Sequence, residues 1–227
     1  MSLASRRRRV WTAGVAIPLA ASLSTGAASG GPPPCEGWSV EYSLAARLRL
    51  ADTPMGQGDG VYTIGPGSVV LRFEDRGGRP GGHAWMTSYV MRERFTIKSK
   101  TLFWTTTVVT DTRTRGTPEA CGIVAEGRLE GTTLAWSTPV RGYRTDGTLA
   151  CDGSLCGKFG APPPGQSPFH TGPGPVPFHT FEFAKDGSTF VMTETFVSQT
   201  EVPHQTAYVT LAGREVKRTC VSGRPCG

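Results

Sequence analysis

The sequence predicts an all-β fold: an antiparallel curved sheet or up-and-down barrel-like domain of about 10–12 strands, stapled by disulfides and carrying one long Gly/Pro-rich loop. Three observations point there. Residues 38–50 alternate strictly. Trp38, Val40, Tyr42, Leu44, Ala46, Leu48 and Leu50 fall on one phase, and Ser39, Glu41, Ser43, Ala45, Arg47 and Arg49 on the other. That period of two marks a half-buried strand. Gly 30 and Pro 18 make up about a fifth of the 227 residues, so turns interrupt the chain often and long helices are not expected. Cysteine is present in an even number, 6, behind what looks like an export signal, and this combination predicts disulfides.

The elements follow in order. As a strand, 38–50 spans about 43 Å, long enough for a curved sheet. Two short strands, 60–64 and 68–73, are expected around Gly65-Pro66-Gly67, then a loop over 76–82. Segment 83–97 places Trp85, Tyr89, Met91, Phe95 and Ile97 in strand spacing, and Ser99-Lys100 turns into the threonine-rich 101–112. A hairpin is expected between 121–129 and 133–136. Strands at 141–144 and 148–151 flank Asp146-Gly147, a strong turn dipeptide. In 157–177, twelve of 21 residues are Gly or Pro, which predicts a surface loop, since neither a helix nor a sheet interior accepts that composition. Strands at 178–184 and 189–199, then 206–211 and 214–219 around Ala212-Gly213, complete the chain. Short hairpin links make the sheet antiparallel. Trp38, Trp85, Trp104 and Trp136 all fall on expected strands, as core or pocket lining.

Residues 1–29 have the layout of a secretory signal peptide. Arg6 to Arg9 form the basic region, 10–23 the short apolar run, and 24–30 the small residues for cleavage. Arg7-Arg8-Arg9-Val10-Trp11 also fits a loose twin-arginine pattern, so general secretion and the twin-arginine route both stand. An extended segment, 30–37, would lead into a single all-β domain over 38–227. The mature chain is expected outside the inner membrane (periplasmic, cell-surface or secreted) and without a transmembrane span. The ending Arg224-Pro225-Cys226-Gly227, with no terminal aromatic strand, argues against an outer-membrane barrel. Removing Arg6 to Arg9 lowers the net charge from +6 to about +2, which takes away the electrostatic case for nucleic acid.

Spacing suggests the disulfides. Cys151–Cys156 and Cys220–Cys226 close short turn-rich loops, whose ends meet at small entropic cost, and this leaves Cys35–Cys121. Cys151 and Cys156 could be drawn with His170 and His179 as a zinc site, but the spacing matches no standard finger, and no metal is expected.

The chain contains no nucleophile elbow, H-E-x-x-H, P-loop or dinucleotide fingerprint, so no cofactor is expected. The leading expectation is an exported, non-enzymatic binding or envelope-associated protein. Its partner would be a small apolar ligand in a barrel interior, or another envelope component. The alternative is a secreted hydrolase in which His170 or His179 acts as base beside a carboxylate such as Glu182, with Glu194 and Glu201 also on or near late strands. By architecture alone, an exported antiparallel domain with a long first strand resembles the lipocalin-like barrels and the half-barrel lipoprotein carriers. Neither family's motifs are present.

Overall fold

The computed structural model describes residues 35–52, 59–100, 104–116, 118, 120–158, 161–176, 178–197, 206–222 and 225. They all belong to the compact unit Pro34–Gly227; the expected signal segment lies outside the described residues. Eleven strands run through them. They are β1 (Gly37–Ala51), β2 (Gly60–Asp75), β3 (Pro80–Lys100), β4 (Thr105–Arg115), β5 (Ala125–Glu130), β6 (Thr133–Trp136), β7 (Val140–Gly153), β8 (Gly165–Val176), β9 (Thr180–Phe183), β10 (Thr189–Val197) and β11 (Thr206–Val221). Every pairing is antiparallel.

Eight strands close a barrel in the order β1-β2-β3-β5-β6-β9-β10-β11 and back to β1. The long β3 is where the sheet forks. One edge pairs with β2 over Gly67↔Met91 to Asp75↔Pro80. Its other edge pairs first with β5, Gly82↔Leu129 to Met86↔Ala125, and then with β4, Val90↔Arg115 to Lys100↔Thr105. From β4 the sheet continues through β7 to β8 as a three-stranded wing. At one end of the barrel the ring is complete. At the other, β9 has ended (its last partner on β10 is Val191), and the wing takes the place of β5, β6 and β9.

Alternation along β1 and β11 dictates what faces inward. Val40, Tyr42, Leu44 and Ala46 are buried, while Glu41, Ser43, Arg47 and Arg49 are exposed, as are Arg214 and Lys217 on β11. Along β1 the outward phase is therefore mostly polar or charged and the inward phase apolar, while single hydrophobics such as Val191 and Val216 are exposed elsewhere on the sheet. Among the described residues, no helix is long and apolar enough to cross a membrane. The complete end is filled by aromatic rings. Phe181 stacks on Phe190 at 4.5 Å between ring centres, and Tyr42 meets Phe190 edge-on at 5.2 Å. The Tyr42 hydroxyl donates to the Gly187 carbonyl at 2.9 Å, so this buried phenol is satisfied.

The described structure departs from sequence expectation at four places where glycine or proline signals a break. Segments 60–64 and 68–73 form one strand, β2, with a register irregularity opposite Leu44 and Ala46. Asp146-Gly147 is not a turn but the middle of β7, where a Cβ on residue 147 would collide with the Asp111 carbonyl. Ala212-Gly213 lies inside β11, where the Phe190 ring occupies the space a side chain at 213 would need. A glycine in a strand interior thus marks close approach here rather than chain reversal. The fourth is the Gly/Pro-rich stretch 157–177. It begins as a loop, but from Gly165 it forms β8, which among the described residues pairs with β7 alone. An edge strand is the one place in a sheet where prolines fit. Trp104 lies just ahead of β4 rather than on a strand, and is 47% exposed.

The disulfides also need correcting. Cys35 is bonded to Cys220, not to Cys121, with Cα atoms 5.5 Å apart. Neither Cys35–Cys121 nor Cys220–Cys226 exists. Cys220 sits on β11 opposite Trp38 of β1, so its nearest partner lies across the ladder rather than along the chain. Cys121 is also disulfide-bonded, and Cys226 lies outside the described residues. Cys151–Cys156 forms as spacing suggests, closing the turn that ends β7.

Candidate ligand-binding site

The fork leaves a cavity of about 210 Å³ between the barrel's open half and the wing. Its apolar walls come from Ala46 and Leu48 of β1, Ile64 of β2, Met91 of β3, Met192 of β10, and Val209 and Leu211 of β11. Tyr89 of β3, Tyr143 of β7 and Phe178, ahead of β9, add three rings. Among the described lining residues, Glu93 is the one that carries a charge. Each side chain is set by strand alternation. Tyr89, Met91, Glu93 and Phe95 share a phase of β3, and the ladder aligns Ala46 with Leu211 and Met192, and Leu48 with Val209. A site built on strands is held more rigidly than one built on loops.

Glu93 is anchored from the wing. The Thr114 hydroxyl donates to its Oε1 at 2.7 Å, and the Thr112 hydroxyl to its Oε2 at 3.4 Å. Thr114 and Thr145, both buried, share a hydroxyl–hydroxyl hydrogen bond of 2.8 Å, and the Tyr143 phenol reaches both. Burial pushes the Tyr89 phenol well above its ordinary range, and the nearby Tyr143 and Glu93 add to that. Burial also raises the Tyr143 phenol, against the opposing hydrogen bond with Thr114. Both phenols therefore remain neutral hydroxyls in ordinary solution.

Three histidines each present Nδ1 to a carboxylate. His179 lies 2.7 Å from Glu194 Oε2, His170 lies 3.0 Å from Asp146 Oδ1, and His83 lies 3.0 Å from Glu74 Oε1. The structure does not bring His170 and His179 to Glu182, which is exposed and accepts from the Thr133 hydroxyl at 2.9 Å. His204 and Glu201 lie outside the described residues.

Glu194 is 8% exposed on the inward phase of β10. It accepts two hydrogen bonds from one residue: the His179 ring, and the His179 backbone N–H at 3.0 Å. β10 has lost β9 as its neighbour at this point, so the carboxylate takes the place of the missing ladder acceptor. It fixes the strand-to-strand link that carries Phe178 into the cavity. The hydrogen-bonded His179–Glu194 pair thus acts as a latch on this link.

Cys151 and Cys156 are oxidised, which removes the zinc arrangement. Among the described residues, no group of three His, Cys, Asp or Glu side chains is placed to hold a metal. Larger hollows exist on the wing face (about 660 Å³) and at the complete barrel end (about 570 Å³). The first is lined by the end of β7 and the start of β8; the second opens among solvated charges such as Lys185 and Arg218, the latter already paired with Glu215 at 2.6 Å.

Sequence reading missed Glu93 and Tyr143. A signal for Glu93 was present: it is a carboxylate within the apolar phase Tyr89, Met91, Phe95, Ile97, as Glu194 is within Phe190, Met192, Phe196. Tyr143 gives no such signal, because its sequence context points to a short strand ending before a turn that does not form. Compared with known proteins, the chain matches no family model, no curated protein and no solved structure.

Proposed function

We propose that this chain is an exported, non-enzymatic ligand-binding protein whose ligand sits in the cavity at the barrel–wing fork. The observation that carries the reading is that cavity: apolar walls on rigid strands with a small set of converging polar groups, the usual composition of a small-molecule site. At about 210 Å³ it is smaller than most such sites, so the ligand is small or enters by one end only. Export is supported by the sequence of residues 1–29 and by disulfides that suit an oxidising compartment. The secretion route and the final location outside the inner membrane belong to the same proposal.

Native mass spectrometry of the mature protein from its host tests the reading. A co-purifying small molecule, released when the cavity is filled by Val209→Phe, is the expected result. No adduct from any growth condition, and no response of the Met91 and Met192 methyl signals to a small-molecule panel, would overturn it.

A second reading, a hydrolase using His179, rests on the 2.7 Å contact with Glu194. A hydrolytic activity lost in the His170→Ala/His179→Ala variant but kept in Val209→Phe would favour it over binding.

A further inference from the structure

We infer that the ligand of this cavity is a small organic ammonium ion, with its cationic head at Glu93 between the aromatic rings and its apolar part against the methionine and leucine side chains. This deepens the binding reading and rests on it. Three independent features carry it.

The first is charge. Among the described residues, the cavity lining contains a carboxylate and no lysine, arginine or histidine. Among the described residues, the hydrogen-bond partners of Glu93 are the neutral hydroxyls of Thr112 and Thr114, and no ion pair reaches it. Its neighbours Arg92 and Arg94 lie on the opposite phase of β3 and point to Asp111, at 3.3 and 3.8 Å. A half-buried carboxylate beside apolar walls gains most from a cation that brings its own apolar surface.

The second is the rings. Tyr89 and Phe178 meet edge-on at 5.4 Å between centres, and Tyr143 is the third aromatic wall. Aromatic faces attract a desolvated cation, and alkylammonium ions are recognised by such cages. With both tyrosines neutral, their hydroxyls supply no competing negative charge.

The third is pre-organisation. Glu93 does not need to reorganise to meet a ligand, because Thr114, itself held by Thr145, already orients its carboxylate. The volume, equal to about seven water molecules of liquid, suits a compact ion such as a trimethylammonium group with a short tail.

The test is an NMR titration of the disulfide-intact mature protein. It uses choline and its uncharged carbon isostere 3,3-dimethylbutan-1-ol, read at the Met91 and Met192 methyls. Choline is expected to bind at least about tenfold tighter than the isostere, and Glu93→Gln to reduce its affinity to the isostere's level. Equal binding of the two probes would overturn the ammonium inference while leaving the cavity as an apolar ligand site. Shifts from neither probe would overturn it too, and the host-purified mass measurement then decides the binding reading separately. The comparison of probes on unaltered protein stands even if Glu93→Gln fails to fold.

Discussion

The two ends of the barrel are built from the same strands and filled differently. At the complete end, eight strands close the ring, and Tyr42, Phe73, Phe181, Phe183 and Phe190 fill it ring against ring. At the forked end, β5, β6 and β9 have run out and the wing stands off. The inward residues there mix aliphatic side chains and methionines with the rings of Tyr89, Tyr143 and Phe178, and two carboxylates, Glu93 and Glu194, lie among them. The first end is packed ring on ring, and the second holds the apolar-walled cavity. What separates them is strand length: β9 has four residues and β3 has 21. A closed sheet with strands of unequal length opens a cavity where the short ones stop.

Truncation should break the comparison most strongly. Phe190→Ala removes the ring that stacks on Phe181 and should cost about 3–5 kcal/mol in urea unfolding. Leu48→Ala, on the half-buried cavity wall, should cost about 1–2 kcal/mol, since part of its surface already faces open space. Equal costs would mean that the cavity end is packed as tightly as the other.

The disulfides divide along the same line. Cys35–Cys220 ties the complete end and spans 185 residues, whereas Cys151–Cys156 staples the wing and spans 5. In the chain-entropy model the first contributes about 5 kcal/mol and the second about 2 kcal/mol. Paired serine substitutions should therefore lower the unfolding midpoint more at Cys35/Cys220. The reverse order would show that the wing's turn restrains the unfolded chain more than loop length implies.

The latch comes next. Glu194→Ala strands the backbone N–H of His179 and should cost about 2 kcal/mol. Faster hydrogen exchange should follow at residues 178–180, with the β1–β11 ladder unchanged. Exchange that rises evenly across the barrel would show that Glu194 does not act locally.

The smallest effect is a pH dependence at the hairpin joining β2 and β3. Desolvation alone would raise the Glu74 carboxyl. Hydrogen bonds from the His83 ring and backbone, and from Arg76, outweigh it and hold the carboxyl below the ordinary range. A carboxylate depressed by folding adds stability above its unfolded-state value and loses it as pH falls through the folded one. A carbonyl NMR titration should find Glu74 below the ordinary glutamate range, and His83→Ala should move it upward.

Much of this was legible in the sequence. The strict alternation of 38–50 is β1, in the phase expected, and the strand total and antiparallel order match as well. Sequence reading went astray where a residue's local meaning differs from its three-dimensional one. Gly147 and Gly213 look like turns in one dimension, yet each makes room for a neighbouring backbone or ring that only the sheet brings near. Cys220 likewise has a near partner in sequence and a nearer one across the ladder. The site was the least legible part, because the fork depends on which strands end early. No local pattern encodes that β9 stops after four residues.

The outermost strand of the wing has a consequence for how the protein behaves in concentrated solution. The sheet forks, and its last strand, β8, has one side without a ladder partner among the described residues. Open strands of this kind recruit copies of themselves and begin aggregation. β8 is a poor template for that. Pro168 and Pro173 lack the N–H a new strand needs, and the register against β7 slips twice near Tyr143. The composition that made 157–177 look unable to form a strand is the same property that keeps the strand it does form from recruiting another.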